Sequence, residues 1–292
     1  MAGRRQKKSG GRSYAWRYRG RIVACVFVEV IIICALVIMI GWNKGVKEWF
    51  EQFEQPVLKE VDISGINSPN AILMQARGGK ILGEINGEAQ IYPASMTKIM
   101  TVILGIENFD DLDEKITLTN EMFTGLYEQD ATQAGFQPGE EVRVIDLLYG
   151  AMLPSGAECC IALADTISGS EADFAELMNK KARKLGMENT HFCDSTGLHN
   201  PDHYSTVKDI AVLMKYCIKN DTFREIVETS RHSTGVTNIH PDGITYYSTM
   251  FKNLSDPTVT GGKILGGKTG YTSEAGHCLV SCLLYTSDAA DD

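Results

Sequence analysis

At 292 residues, 43% of them hydrophobic, the chain is long enough for one large domain or two small ones with a packed core, which excludes a disordered or collagen-like protein. The formal net charge is -9, yet eight basic residues (Arg4, Arg5, Lys7, Lys8, Arg12, Arg17, Arg19 and Arg21) precede the first acid, so the remainder carries -17. That remainder offers no basic face to a phosphate backbone, and nucleic acid is excluded as a partner.

Residues 1–21 form a basic head. Ile22 to Ile40 follows, nineteen residues in which Glu29 alone is charged, long enough to cross a bilayer as a helix. An uncleaved span is expected over 22–42. A cleaved signal peptide is the alternative, but it would have a shorter apolar region ending in small residues, and Gly41-Trp42-Asn43-Lys44 offers no such site. Positive residues stay on the cytoplasmic side, so the expectation is a single-pass protein of the cell membrane whose folded part lies outside the cytoplasm. Residues 43–64 are charged and aromatic without a strong period and read as a stalk.

The folded domain is expected over 65–281, with regular structure from about Ala71. Ala71 to Ala76 and Ile81 to Asn86 are strand-like runs around Arg77-Gly78-Gly79-Lys80, a hairpin signal. Pro93 opens an apolar helix through Glu107, with Met96, Met100 and Ile103 on its core side by spacing. Lys115 to Leu118 is strand-like, Val144 to Leu153 is helical and stops at Pro154, and Ala157 to Ile167 is another apolar helix. Ser170 with Asp173 caps a helix that runs to Gly186, and Thr206 with Asp209 repeats the device before Ile210 to Ile218. Strands return after Ser233. A strand hairpin, a helical middle and then strands predict an α+β fold, helices packed on an antiparallel sheet. The eight cysteines show no disulfide framework, and Cys159 and Cys160 are adjacent on a helix, so free thiols are expected.

Two short motifs can carry chemistry. In Ser95-Met96-Thr97-Lys98 a spacing of three puts a hydroxyl and an amine on one helix face, where burial beside other cations lets the lysine act as base to a serine nucleophile. Such a pair also arises by chance about once in a chain of this size. Lys268-Thr269-Gly270, after Gly266-Gly267 in a strand-like run, suits a backbone that a peptide must approach closely; alone it would read as an exposed turn. His199 and His203 have the spacing of a helical metal pair, but Pro201 lies between them, so a loop is expected rather than a metal site. Glu158 reads as a first-turn carboxylate complementing its helix dipole.

Taken in order, Ser-x-x-Lys, a middle Ser155-Gly156-Ala157 and Lys-Thr-Gly resemble the D-alanyl-D-alanine carboxypeptidases, the low-molecular-mass penicillin-binding proteins of serine peptidase family S11. The resemblance covers about Ala71 to Ser281 through Tyr92-Pro93-Ala94-Ser95-Met96-Thr97-Lys98, Ser195-Thr196-Gly197-Leu198, Tyr204-Ser205-Thr206 and Gly267-Lys268-Thr269-Gly270-Tyr271-Thr272. It implies a β-lactamase/transpeptidase-like fold, an antiparallel sheet flanked by helices plus a helical lobe carrying Ser155. It also implies Ser95 as nucleophile, Lys98 as base, Ser155 as proton relay, Lys268 and Thr269 as the grip on a substrate carboxylate, and an oxyanion hole from the N–H groups of Ser95 and Tyr271, with Gly270 and Tyr271 also among the substrate-binding residues. The implied partners are peptidoglycan pentapeptides ending in D-Ala-D-Ala, β-lactam antibiotics and the cell membrane, with no metal and no cofactor.

One departure stands out: Ala157 occupies the place of the family's asparagine. A slow or inactive penicillin-binding sensor, and a β-lactamase or esterase of the same fold, therefore remain as alternatives. The final stretch, 282–292, reproduces the translation of a common DNA-library transposon adapter over Cys282 to Asp291, so read-through of a truncated domain is expected. On that reading the tail fits no strand and the Lys268 strand is left as an unpaired edge.

Overall fold

A computed structural model describes residues 59–254 and 256–285. The basic head, the expected span, nearly all of the stalk and the residues after Tyr285 lie outside the described residues. Among the described residues no helix is long and apolar enough to cross a membrane.

Strands β1 (Ala71–Met74) and β2 (Ile81–Ile85) form the expected hairpin. Val61, inside the segment read as a stalk, already donates its N–H to the Leu82 carbonyl at 2.6 Å, so ordered packing starts ahead of the expected boundary. After Pro93 the chain differs from the single helix expected. A 3-10 turn, Ala94–Thr97, comes first, and helix α1 (Lys98–Asn108) follows. The cause is local: Ala94 has φ 46, outside the right-handed helical region, so an α-helix cannot start at Pro93.

Helix α1 is the axis of the core, buried from Lys98 to Gly105. Around it pack α2 (Val144–Met152), α3 (Ala157–Ser168), α4 (Glu171–Leu185), α5 (Val207–Cys217) and α6 (Asp221–Glu228). Met100, Ile103, Leu147, Leu148, Leu163, Phe174 and Phe223 are all fully buried in one cluster, each contributing roughly 1.5–3 kcal/mol by leaving water. The caps fall where the sequence puts them: Ser170 Oγ accepts from Asp173 N at 3.1 Å, and Thr206 Oγ1 accepts from Asp209 N at 3.0 Å. Helix α6 is an addition to the expected elements, started by Asn220 Oδ1 accepting from Phe223 N at 2.9 Å.

Among the described residues, the single antiparallel sheet expected from the sequence is divided among four small ones. Besides β1-β2, they pair β3 (Lys115–Thr117) with β4 (Glu141–Arg143), and β5 (Arg231–Ser233) with β6 (Thr245–Tyr247). The fourth runs β7 (Thr258–Val259), β8 (Gly262–Thr272), β9 (Gly276–Tyr285), antiparallel throughout. Strand β9 corrects two expectations. Cys282 to Tyr285 does join a strand, with Cys282 opposite Gly266 and Tyr285 opposite Gly262, and the Lys268 stretch of β8 is paired along one side by β9, Lys268 opposite Val280, while β7 reaches only Gly262 and Lys263. Tyr285 is a good strand former, and Leu283, Leu284 and Tyr285 extend the ladder half in solvent. The six described cysteines are free, as expected.

Candidate active site

In a 3-10 turn, side chains three apart eclipse one another, so the turn at Ala94–Thr97 stacks Lys98 directly over Ser95. The Lys98 Nζ donates to Ser95 Oγ at 3.3 Å and to the Thr196 carbonyl at 2.6 Å. Ser95 is half-buried and Lys98 is buried. A buried polar nitrogen needs partners, and these two oxygens supply them.

Ser155 sits between α2 and α3 with φ 72, a left-handed conformation that turns its hydroxyl toward β8. There Ser155 Oγ accepts from Lys268 Nζ at 2.9 Å, and the same amine donates to the Thr269 carbonyl at 2.9 Å. Burial, and then the neighbouring charge of Lys98, push Lys268 down to about 7. Thr269 Oγ1 lies 2.8 Å from Thr249 Oγ1. Gly270 is the close-approach position: a Cβ there would lie 3.0 Å from Ser95 N and 3.3 Å from the Pro93 carbonyl, so any side chain would push the strand off the Ser95 turn. The Tyr271 side chain is exposed and tilted against His277, ring centroids 4.8 Å apart.

The fold thus brings together Ser95, Lys98, Ser155 and Lys268, two serine hydroxyls each bonded to its own buried lysine. Thr269, Gly270 and Tyr271 follow on the same strand. The two histidines part company: His199 stands edge-on to Tyr92 at 4.8 Å, whereas His203 is buried against Thr97. The sequence motifs gave no role to the Thr196 carbonyl that takes Lys98, although the Ser195-Thr196-Gly197 segment that carries it was visible. A cavity of about 470 Å³ adjoins this centre at Thr196 and Leu198 and is lined also by Asp165, Glu171, Asp194 and His199.

Ala157 opens α3, is fully buried, and gives its N–H to the Thr132 carbonyl at 2.8 Å. Its neighbours fill the surroundings. Glu158 stands in the first turn of α3, as read from the sequence, and is fully buried; its Oε1 accepts from Ala134 N at 2.6 Å and Gly135 N at 2.9 Å, and burial raises its pKa. Cys160 Sγ donates to the Gly156 carbonyl at 3.4 Å, and Cys159 Sγ lies where a Cβ on Gly150 would come within 2.6 Å. Ala157→Asn is accordingly expected to cost about 1–3 kcal/mol of stability through overpacking. Thermal melting checks this; an unchanged Tm would mean that the site has room for the amide.

Residues 57–286 match the protein family described as D-alanyl-D-alanine carboxypeptidase. The D-alanyl-D-alanine carboxypeptidase DacF of Bacillus subtilis (strain 168) is 35% identical over 216 residues, 73% of this chain and 53% of the relative. The D-alanyl-D-alanine carboxypeptidase of Streptomyces sp. (strain K15) is 37% identical over 194 residues, 64% of this chain and 66% of the relative. The solved Streptomyces K15 DD-transpeptidase superposes with a TM-score of 0.68 at 29% identity, covering 78% of this chain and 93% of that one. Penicillin binding protein 5 from Haemophilus influenzae does so with a TM-score of 0.68 at 29% identity, covering 78% and 64%. The chain has the α+β fold of these structures. It spans about half the length of the first curated relatives it matches, 53% of DacF and 54% of the D-alanyl-D-alanine carboxypeptidase DacC of Escherichia coli (strain K12).

Proposed function

The chain belongs to the D-alanyl-D-alanine carboxypeptidase family, and from that premise we propose that it is a serine-type D,D-carboxypeptidase trimming peptidoglycan stem peptides that end in D-Ala-D-Ala. The observation that carries the reading is the convergence of Lys98 on Ser95 and of Lys268 on Ser155, at 3.3 and 2.9 Å. Ser95 Oγ attacks the carbonyl between the two D-alanines while Lys98 accepts its proton. The oxyanion rests on the N–H groups of Ser95 and Tyr271. Collapse breaks the C–N bond, the Ser155 hydroxyl passes a proton to the leaving amine, and water then hydrolyses the ester to free the shortened peptide and Ser95. β-Lactams would acylate the same oxygen. In this reading residues 1–21 stay cytoplasmic, 22–42 anchor the chain in the cell membrane, and 43–64 carry the 65–281 domain outside it.

Burial above all, and then the nearby charge of Lys98, is why Lys268 stands near 7. A substrate carboxylate beside Lys268 keeps that ammonium charged and leaves Lys98 as the amine that acts as base. The sign for binding follows. Above about pH 7 the free enzyme holds Lys268 neutral, so binding the carboxylate must take up a proton, and KM should rise up to about tenfold per pH unit there. Steady-state release of D-alanine from about pH 6 to about pH 9 measures it; a flat KM across that range would remove Lys268 as the carboxylate's partner.

The same assay weighs the second reading. Ala157 lacks the side-chain amide that the resemblance leads one to expect, which favours a slow penicillin-binding sensor. Covalent penicillin labelling without sustained D-alanine release would select the sensor.

A further inference from the structure

A lysine that acts as base must aim its lone pair. The neutral amine has two N–H groups and one lone pair, and only an anchored N–H stops it from rotating away. In this site the anchor is the Thr196 carbonyl at 2.6 Å from Lys98 Nζ. What holds that carbonyl in place is a group of residues that the mechanism above does not use.

The chain from Asp194 to Leu198 winds around the Asp194 carboxylate. Asp194 Oδ1 accepts from Thr196 N at 2.7 Å, from Thr196 Oγ1 at 2.6 Å and from Gly197 N at 2.7 Å. Its Oδ2 lies 3.1 Å from His203 Nδ1, and His203 Nε2 lies 2.9 Å from Thr97 Oγ1. Two groups meet at Nδ1, the Asp194 carboxylate and the Cys193 N–H at 3.2 Å, and on the far side Nε2 shares a hydrogen bond with the Thr97 hydroxyl. Thr97 is in the very turn that carries Ser95 and Lys98. Two further ties run in parallel: Thr101 Oγ1 donates to the Ser195 carbonyl at 2.6 Å, and Gly197, at φ 79, sits so close to the Ala94 carbonyl that a Cβ would collide with it. Thr97, Ser195, Thr196 and His203 are all buried.

An Asp-His-hydroxyl chain invites a catalytic reading, but the Thr97 hydroxyl is 0% exposed and is spent on His203, so it cannot reach a substrate. We infer that Asp194 and His203 are positioning residues: with Thr97 they form a buried strut that locks the Thr196 carbonyl onto the Lys98 amine and so aims that amine at Ser95. Burial alone would raise the Asp194 carboxyl, but bonds from His203 and Thr196 outweigh it and hold the group at about 2, so the strut stays charged at working pH. The other groups facing the imidazole are the Cys193 N–H at 3.2 Å and the Phe192 ring, edge-on at 5.5 Å; Glu171 meets the strut through the Ser195 hydroxyl. The inference rests on Lys98 being the base proposed above.

The test is made on the intact chain with His203→Phe, which keeps a ring and removes both hydrogen bonds, and His203→Gln, which restores an amide toward Thr97. Four quantities are read: the rate of Ser95 acylation by a fluorescent penicillin, kcat and KM for D-alanine release, and Tm. His203→Phe should slow acylation by about tenfold or more, leave KM within about twofold, and shift the acid limb of the rate profile because the Lys98 amine has lost its fixed anchor. His203→Gln should recover most of the loss. Thr97→Val, which removes only the hydroxyl, gives the same readout should His203→Phe fail to fold. Acylation within about twofold of wild type in a folded variant overturns the inference, as does a loss that merely follows Tm with the acid limb unmoved and no recovery by glutamine. Wild-type acylation by Lys98→Arg would overturn the base assignment and this inference with it, whereas normal dependence on Lys98 with an unaffected Thr97→Val overturns this inference alone.

Discussion

Replacing Ser95 by alanine should abolish covalent labelling by a fluorescent penicillin, a drop on the order of a thousandfold or more. The substitution removes one oxygen from a half-buried side chain and leaves the 3-10 turn, the Lys98 contact to Thr196 and the Gly270 approach in place, so the fold should be unaffected. Ser155 cannot take over as nucleophile. Its lysine partner is Lys268, which in the reading proposed above is kept charged by the substrate carboxylate and so is not free to take the Ser155 proton. Labelling of Ser95→Ala that persists at a wild-type rate, with the label mapped by peptide sequencing, would overturn the assignment.

Lys98→Arg should be nearly as damaging for a different reason. The guanidinium keeps its proton at any usable pH, so positive charge is retained while the base is lost. It is also larger and forked, in a site only 3% exposed and fitted around one amine nitrogen with acceptors at 2.6 and 3.3 Å. Loss of a general base is worth about a hundredfold to ten-thousandfold, or about 3–5 kcal/mol of barrier. An acylation rate within about tenfold of wild type would exclude Lys98 as the base. Stopped-flow acylation separates this from weaker binding, since in the proposed reading the first non-covalent encounter would depend on Lys268 and Thr269 rather than on Lys98.

What the sequence made legible was local. Ser95 and Lys98 are three apart, Lys268 to Tyr271 are contiguous, and the caps at Ser170 and Thr206 are each written within four residues. Their geometry follows from short-range backbone rules that the chain cannot evade. What stayed hidden was carried by backbone atoms or by distant partners. The acceptor for Lys98 is a carbonyl 98 positions away, and a carbonyl has no residue type to read. His203 looked like half of a discarded metal pair because its partners, Thr97 and Asp194, are set by the fold. The start of α1 was misjudged because Ala94 gives no sign of its positive φ. The division into four sheets escaped notice for a related reason: alternation identifies strands without saying which of them will be neighbours.

The two residues at positive φ beside the pocket, Ala94 at 46 and Ser155 at 72, have a further consequence, and it concerns handedness. For an L-residue that backbone shape costs roughly 1–2 kcal/mol, whereas its mirror image would sit there at ease. A site proposed to cut between two D-residues is therefore itself built around two positions whose backbone is that of a D-residue. A ribosome can answer only with glycine. At Ala94 that would relieve the backbone while removing a methyl group from the face that β8 approaches so closely that a Cβ on Gly270 would come within 3.2 Å of it.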